Sequence, residues 1–163
     1  MEVFIGRQPI LDINENIVAY ELLYRSKNKN SFPMVDSDAA TVDVLINSFL
    51  SIGIEEVTKG RPAFVNFTEN LLMSNLTDFL NPSQVVIEIL EDVAITHDLI
   101  DRVIKLKKMG YKVALDDFVL DDSVDIYDEL FEHIDYIKVD FLLSPLKERL
   151  EIENRVKTSF PHI

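Results

Sequence analysis

The stretch Lys112-Val113-Ala114-Leu115-Asp116-Asp117-Phe118 decides the fold. Val113, Ala114 and Leu115 form the short apolar run expected of a strand covered on both faces, and two adjacent aspartates interrupt it where such a strand would meet its loop. Similar runs flank it. Residues 17–24, 63–67, 85–90 and 136–141 also read as strands. Val3 to Leu11 offers a further strand, and Asp12-Ile13-Asn14-Glu15-Asn16 has the turn chemistry to fold it into an antiparallel hairpin with residues 17–24.

Helical periodicity fills the gaps. Val42, Leu45, Ile46 and Phe49 recur at helical spacing behind Ser37 or Asp38 as a cap, with Gly53 placed to end the helix. A second segment runs through Leu71, Leu72, Leu76, Phe79 and Leu80 to Pro82. The best-specified helix starts at a Thr96 cap and passes through Leu99, Ile100, Val103, Ile104 and Leu106 to Gly110. Its last turn holds Lys105, Lys107 and Lys108, where cations suit the helix dipole. Val124 to Ile134 carries Tyr127, Leu130, Phe131 and Ile134 on one face, and a last helix is expected after Pro145. A strand-then-helix rhythm predicts an α/β fold with parallel strands and right-handed crossovers, either an open doubly wound sheet or a (β/α) barrel. Neither G-x-G-x-x-G nor a P-loop is present, so any bound phosphate must be held without a glycine cradle.

Composition sets further bounds. The 163 residues, 47% hydrophobic, suffice for one domain covering 1–163. A net charge of −13 repels nucleic-acid phosphates, which argues against DNA or RNA as a partner. The chain has no cysteine, which excludes zinc-thiolate and iron-sulfur sites and thiol nucleophiles, and it has no apolar run long enough for a membrane helix. A soluble, cytoplasmic, acidic domain with no membrane association is expected.

The informative residues are those that do not suit buried strands. Glu21, Asn66, Glu88, the pair Asp116-Asp117, and Lys138 with Asp140 interrupt successive apolar runs, in the middle or towards the C-terminal end. In parallel α/β folds that end of the sheet gathers the loops that build active sites. Converging carboxylates out of water need a compensating cation. The donors are all hard oxygens, which points to Mg²⁺, Mn²⁺ or Ca²⁺ rather than Zn²⁺. Asp116 and Asp117 could serve two neighbouring metals if the strand ends there, and a lysine nearby could orient a water or neutralise a phosphoryl oxygen. Taken one at a time, these residues also fit solvent-facing strand ends or structural ion pairs such as Glu88 with Lys138. Other candidates carry less. His97, His133 and His162 lack metal-ligand spacing and suit helix surfaces, the acidic run from Asp121 to Glu132 suits a solvated helix face, and Tyr20, Tyr24 and Phe118 suit core packing. Arg25 fits either a phosphate contact or a surface ion pair.

The order of these motifs resembles the EAL domain. Gln8-Pro9-Ile10 followed by Tyr20-Glu21-Leu22-Leu23-Tyr24-Arg25 is similar to the family's opening, where the signature glutamate sits in an E-A-L-L-R run. Val65-Asn66-Phe67-Thr68, Ile87-Glu88-Ile89-Leu90-Glu91, Ala114-Leu115-Asp116-Asp117-Phe118 and Ile137-Lys138-Val139-Asp140 then follow in register with the family's asparagine, E-L-T-E, D-D-F-G and K-I-D motifs. The resemblance implies a (β/α)8-type barrel that hydrolyses cyclic di-GMP with two Mg²⁺ or Mn²⁺ ions. It implies Glu21, Asn66, Glu88 and Asp116 as metal ligands, Asp117 as ligand of a second metal with a catalytic role, and Lys138 as the catalytic group near the attacking water. Gln8 and Arg25 are implied as ligand contacts. The opening also resembles the subfamily in which an EAL-like domain precedes an HDOD domain, a group associated with regulation.

Departures from the pattern shift the expected function. Where the family has a glycine-containing loop after Asp-Asp-Phe, this chain has Val119-Leu120-Asp121-Asp122-Ser123-Val124, and Leu22 replaces the signature alanine. The expectation is therefore a degenerate, partial EAL-type module that regulates or binds a protein partner or a second copy. The alternative is an active phosphodiesterase completed by further chain or another subunit. A complete barrel needs about 250 residues, so roughly five of eight units are expected here. The free sheet edge would be covered by another chain, a repacked segment or the tail Thr158 to Ile163.

Overall fold

The computed structural model describes residues 4–25, 37–46, 53–119, 124–142 and 144–163. Its strands hydrogen-bond in chain order as one six-stranded sheet with helices between them, the expected α/β arrangement. The chain divides into two compact units, Met1–Ile87 and Glu88–Ile163.

In the first unit, β1 (Phe4–Leu11) and β2 (Ile17–Arg25) form the expected antiparallel hairpin, with Gln8 opposite Glu21. Asp12 builds the turn: its Oδ1 accepts the N–H groups of Asn14 at 2.8 Å and Asn16 at 2.9 Å, while Glu15 takes a left-handed φ of 64°. The strand β2 runs parallel to β3 (Ala63–Phe67). Helix α1 (Ser37–Ile46) packs Ala40, Val44 and Leu45 into the core beside β2 and β3; Phe49 lies outside the described residues. Gly53 does not provide a left-handed C-cap. It stands at φ 91°, ψ 123° directly ahead of α2 (Ile54–Thr58), a short helix that the periodicity does not reveal. The apolar stretch from Leu71 to Leu80 is two elements. Thr68 caps α3 (Glu69–Met73) by accepting the Leu71 N–H at 3.3 Å, and a 3₁₀ turn follows at Leu76–Phe79. The break falls at Ser74, whose hydroxyl bonds back to Leu71 O at 2.7 Å and so competes with helix continuation. Every residue of β4 (Val85–Ile89) is buried, including Glu88, with which the second unit begins.

In the second unit, α4 (His97–Lys108) has the predicted ends. Thr96 accepts the Leu99 N–H at 3.2 Å, and Gly110 follows with φ 93°. Its Leu99, Ile100, Val103 and Leu106 are buried. The strand β5 (Lys112–Leu115) pairs in parallel with β6 (Tyr136–Ile137), and α5 (Val124–Phe131) lies between them in sequence. Both strands are shorter than residues 112–118 and 136–141 suggest. Asp117, at φ 40°, turns the chain out of β5. Past β6, Asp140 Oδ1 accepts the Leu142 N–H at 2.6 Å, a local turn that competes with strand pairing. Helix α6 (Leu146–Ser159) follows Pro145 as expected. Of the tail, Phe160 packs edge-on against Phe131 at 5.4 Å, and His162 Nε2 lies 3.0 Å from Phe131 O. Ile163 joins Tyr136, Ile137 and Ile152 in lining a cleft of about 390 Å³. Among the described residues no helix is long and apolar enough to cross a membrane.

Candidate functional site

Three charged side chains meet in the second unit. Glu88, in the middle of an otherwise aliphatic strand, has a fully buried side chain. Lys138 places its Nζ 2.7 Å from Glu88 Oε1 and 2.7 Å from Asp116 Oδ1, so one ammonium is shared by two carboxylates. Main-chain hydrogen bonds fix this meeting. The Asp116 N–H donates to Ile89 O at 2.9 Å, the Lys138 N–H to Leu115 O at 2.9 Å, and the Phe118 N–H to Lys138 O at 2.9 Å. These bonds hold three successive strand ends in register. The Glu88–Lys138 ion pair offered as a structural alternative is thus present, and it extends to Asp116.

Asp117 points elsewhere. The strand ends at Leu115, and the left-handed turn sends Asp117 toward a cleft of about 380 Å³, lined also by Glu91, Asp116, Phe118, Tyr127 and Asp140. Burial raises the Asp117 pKa above the usual carboxylate value, and the charges of Asp116, Asp140 and Glu91 push it the same way, against the opposing effect of Lys138. Tyr127 belongs to this cleft although periodicity alone assigns it to the core. Its ring meets Phe118 edge-on at 5.1 Å, so it serves both. Glu91 and Asp140 are visible in the sequence as acids within the strand-end motifs. What sequence does not show is that both line the Asp117 cleft.

The first unit holds the remaining candidates. Glu21 is half-buried in β2, and its antiparallel partner Gln8 is exposed. Asn66 is the one position of β3 that is not fully buried. Its main-chain carbonyl accepts the Thr41 hydroxyl at 2.8 Å, whereas its Oδ1 is buried with no hydrogen-bond donor among the described residues. Arg25 closes β2, and its side chain lies outside the described residues. Of the histidines, His97 keeps the helix-surface reading, while His133 and His162 lie off the helices. His97 is exposed and pairs with Glu129 at 3.3 Å, His133 follows α5, and His162 sits in the tail.

Donor chemistry fits a hard divalent cation. Within the second unit the carboxylates of Glu88 and Asp116 are hard-oxygen donors of the kind Mg²⁺, Mn²⁺ or Ca²⁺ prefer. Among the described residues, however, no three His, Asp or Glu groups gather closely enough to hold an ion. Glu88 and Asp116 have the Lys138 ammonium between them instead.

An antiparallel entry hairpin, parallel strands and a polar residue in strand after strand define an α/β domain of the partial (β/α)8 type. Comparison with known proteins agrees. The chain is 52% identical over 154 residues to YuxH of Bacillus subtilis, a protein of uncharacterised function, and 34% identical over 149 residues to the cyclic di-GMP phosphodiesterase CdgJ of Vibrio cholerae. These matches cover 93% and 91% of this chain and 38% and 34% of the relatives, so the chain spans little more than a third of their length. In structure it is similar to the Bacillus subtilis YkuI protein, with an EAL domain, in complex with cyclic di-GMP and calcium. The TM-score is 0.64 at 19% identity, over 95% of this chain and 45% of that one. No protein-family model matches. In fold, the chain is similar to EAL domains.

Proposed function

We propose that this chain is an EAL-type signalling module whose strand-end residues serve a cyclic di-GMP ligand, and that it regulates rather than turns over. The observation that carries the ligand class is the 34% identity, over 91% of the chain, to a relative named as a cyclic di-GMP phosphodiesterase. The strand-end grouping of Glu88, Asp116 and Lys138 supports the same assignment, because a phosphodiester site needs cations beside carboxylates.

In this proposal Glu21, Asn66, Glu88 and Asp116 hold a divalent cation, with Asp117 at a second position. Once bound, such ions would neutralise phosphodiester oxygens and acidify a water. Lys138 offers its ammonium to a phosphoryl oxygen, Arg25 pairs with a ligand phosphate, and Gln8 supplies a polar contact beside Glu21. A regulatory role is favoured by the stretch Val119 to Val124, which has no glycine where the EAL pattern has a glycine-containing loop. Its natural setting is the cytoplasm, with a protein partner or a second copy receiving the signal.

Titration calorimetry with cyclic di-GMP in Mn²⁺, followed by chromatography of the mixture, tests this. Binding without appearance of the linear dinucleotide is expected. Linear product at catalytic turnover would replace the regulatory role with an enzymatic one, and absence of binding would remove the nucleotide from the proposal.

A further inference from the structure

We infer that Lys138 is a built-in counter-ion that competes with the divalent cation for Glu88 and Asp116. The inference rests on the metal-site assignment proposed above and concerns what this chain does when the ion is absent.

Three observations lead to it. Glu88 is completely buried within a uniformly buried strand, so a charge on it needs a cation beside it. The Lys138 ammonium is 2.7 Å from an oxygen of each carboxylate, which is contact distance to both at once. The lysine side chain is 31% exposed against 0% for Glu88 and 12% for Asp116. Its stem can therefore swing toward water while the carboxylates stay in place. A divalent ion entering between them must displace or share that ammonium, and the cost of doing so is subtracted from the binding free energy. The lysine thereby holds the metal-free domain together and weakens its hold on the metal, so that occupancy follows the ion concentration.

The test uses the full chain with Mn²⁺ alone as probe. Thermal unfolding is recorded in EDTA, and Mn²⁺ affinity is measured by calorimetry for the wild type and for Lys138→Met, which keeps the stem and removes the charge. Lys138→Met should unfold roughly 5 °C or more below the wild type in EDTA and bind Mn²⁺ about tenfold or more tightly. A variant that binds only when the wild type does not is the same result in its limiting form. If the wild type binds Mn²⁺ and the variant binds it equally or more weakly, the counter-ion inference is overturned while the metal site stands. If neither binds, the metal site itself falls, and the inference with it. Should Lys138→Met fail to fold, the double variant Glu88→Gln with Lys138→Met decides. Recovery of folding upholds the counter-ion role, and no recovery removes it.

Discussion

Replacing Asp135 by alanine should destabilise the second unit far more than an exposed carboxylate normally would. Asp135 stands at the bend before β6 and joins three elements. Its Oδ1 and Oδ2 accept from Lys107 Nζ at 2.6 and 2.5 Å, Oδ2 also accepts the Val113 N–H at 2.8 Å, and its own N–H donates to Val113 O at 2.8 Å. Val113 is fully buried, so Asp135→Ala leaves a buried N–H without its acceptor, a loss of about 1–3 kcal/mol. The ion pair is part-exposed, at 30% and 23%, and solvent screening limits its share. About 0.5 kcal/mol is a fair allowance for it. The sum is about 1.5–3.5 kcal/mol, or a fall of roughly 3–14 °C in Tm for a domain of this size. Asp135→Asn keeps an oxygen for the Val113 N–H and loses only the charge, and Lys107→Ala loses only the pair. Each should cost about 1 kcal/mol or less and shift Tm by about 2–4 °C or less. Calorimetric melting at neutral pH, repeated in 0.5 M salt, separates the two contributions, since about 0.5 M salt weakens only the ionic part. If Asp135→Asn falls as far as Asp135→Ala, the Val113 hydrogen bond is not what Asp135 contributes. If neither moves the melt, the join between α4, β5 and β6 carries no stability.

Two further outcomes can be checked with the same assay. Thr96→Ala removes the side-chain acceptor for the Leu99 N–H and should cost about 1 kcal/mol, while Thr96→Ser restores it; equal losses for both variants would contradict a capping role. At the hairpin, the Asn16 main-chain N–H and then its side chain hold Asp12 below the ordinary carboxylate pKa of 3.8. A folded-state value below the unfolded one gives stability that is present above the unfolded pKa and is lost as pH falls through the folded pKa. The Tm deficit of Asp12→Ala should therefore be evident at neutral pH and shrink in strong acid, and a deficit that grows toward low pH would contradict this sign.

Much of the scaffold is legible in the amino-acid sequence, wherever local chemistry alone sets the outcome. The α4 helix is the clearest instance, because Thr96, the apolar spacing and Gly110 specify start, face and stop independently of the rest. The hairpin is another, since Asp12 makes its turn with atoms only a few residues away. Strand lengths are less legible. Whether β5 runs to Phe118 depends on Asp117 adopting a left-handed conformation, and propensity does not announce that for a non-glycine residue. For the site, the positions of Glu88, Asp116 and Lys138 are visible as polar interruptions. Their shared contact is not, because it depends on the register of three strands.

That shared contact bears on why Glu88 is there at all. A buried ion pair is weak evidence of stabilisation, because removing two charges from water costs several kcal/mol per ion and apolar replacements of similar volume often do as well or better. The neighbours Val85, Val86, Ile87 and Ile89 show what a strand covered on both faces needs, and a fifth aliphatic residue would have met that need. Stability alone therefore does not account for a glutamate at this position with a lysine and an aspartate brought against it. A requirement for a carboxylate does, provided something cationic visits it. Lys138 fills that role within the chain, and the half-open lysine stem leaves room for another cation to do so. In the counter-ion proposal the same grouping is a structural ion pair without the divalent cation and a ligand set with it. On that proposal the structural and the functional explanation of these residues are two states of one arrangement, with the balance between them set by the lysine.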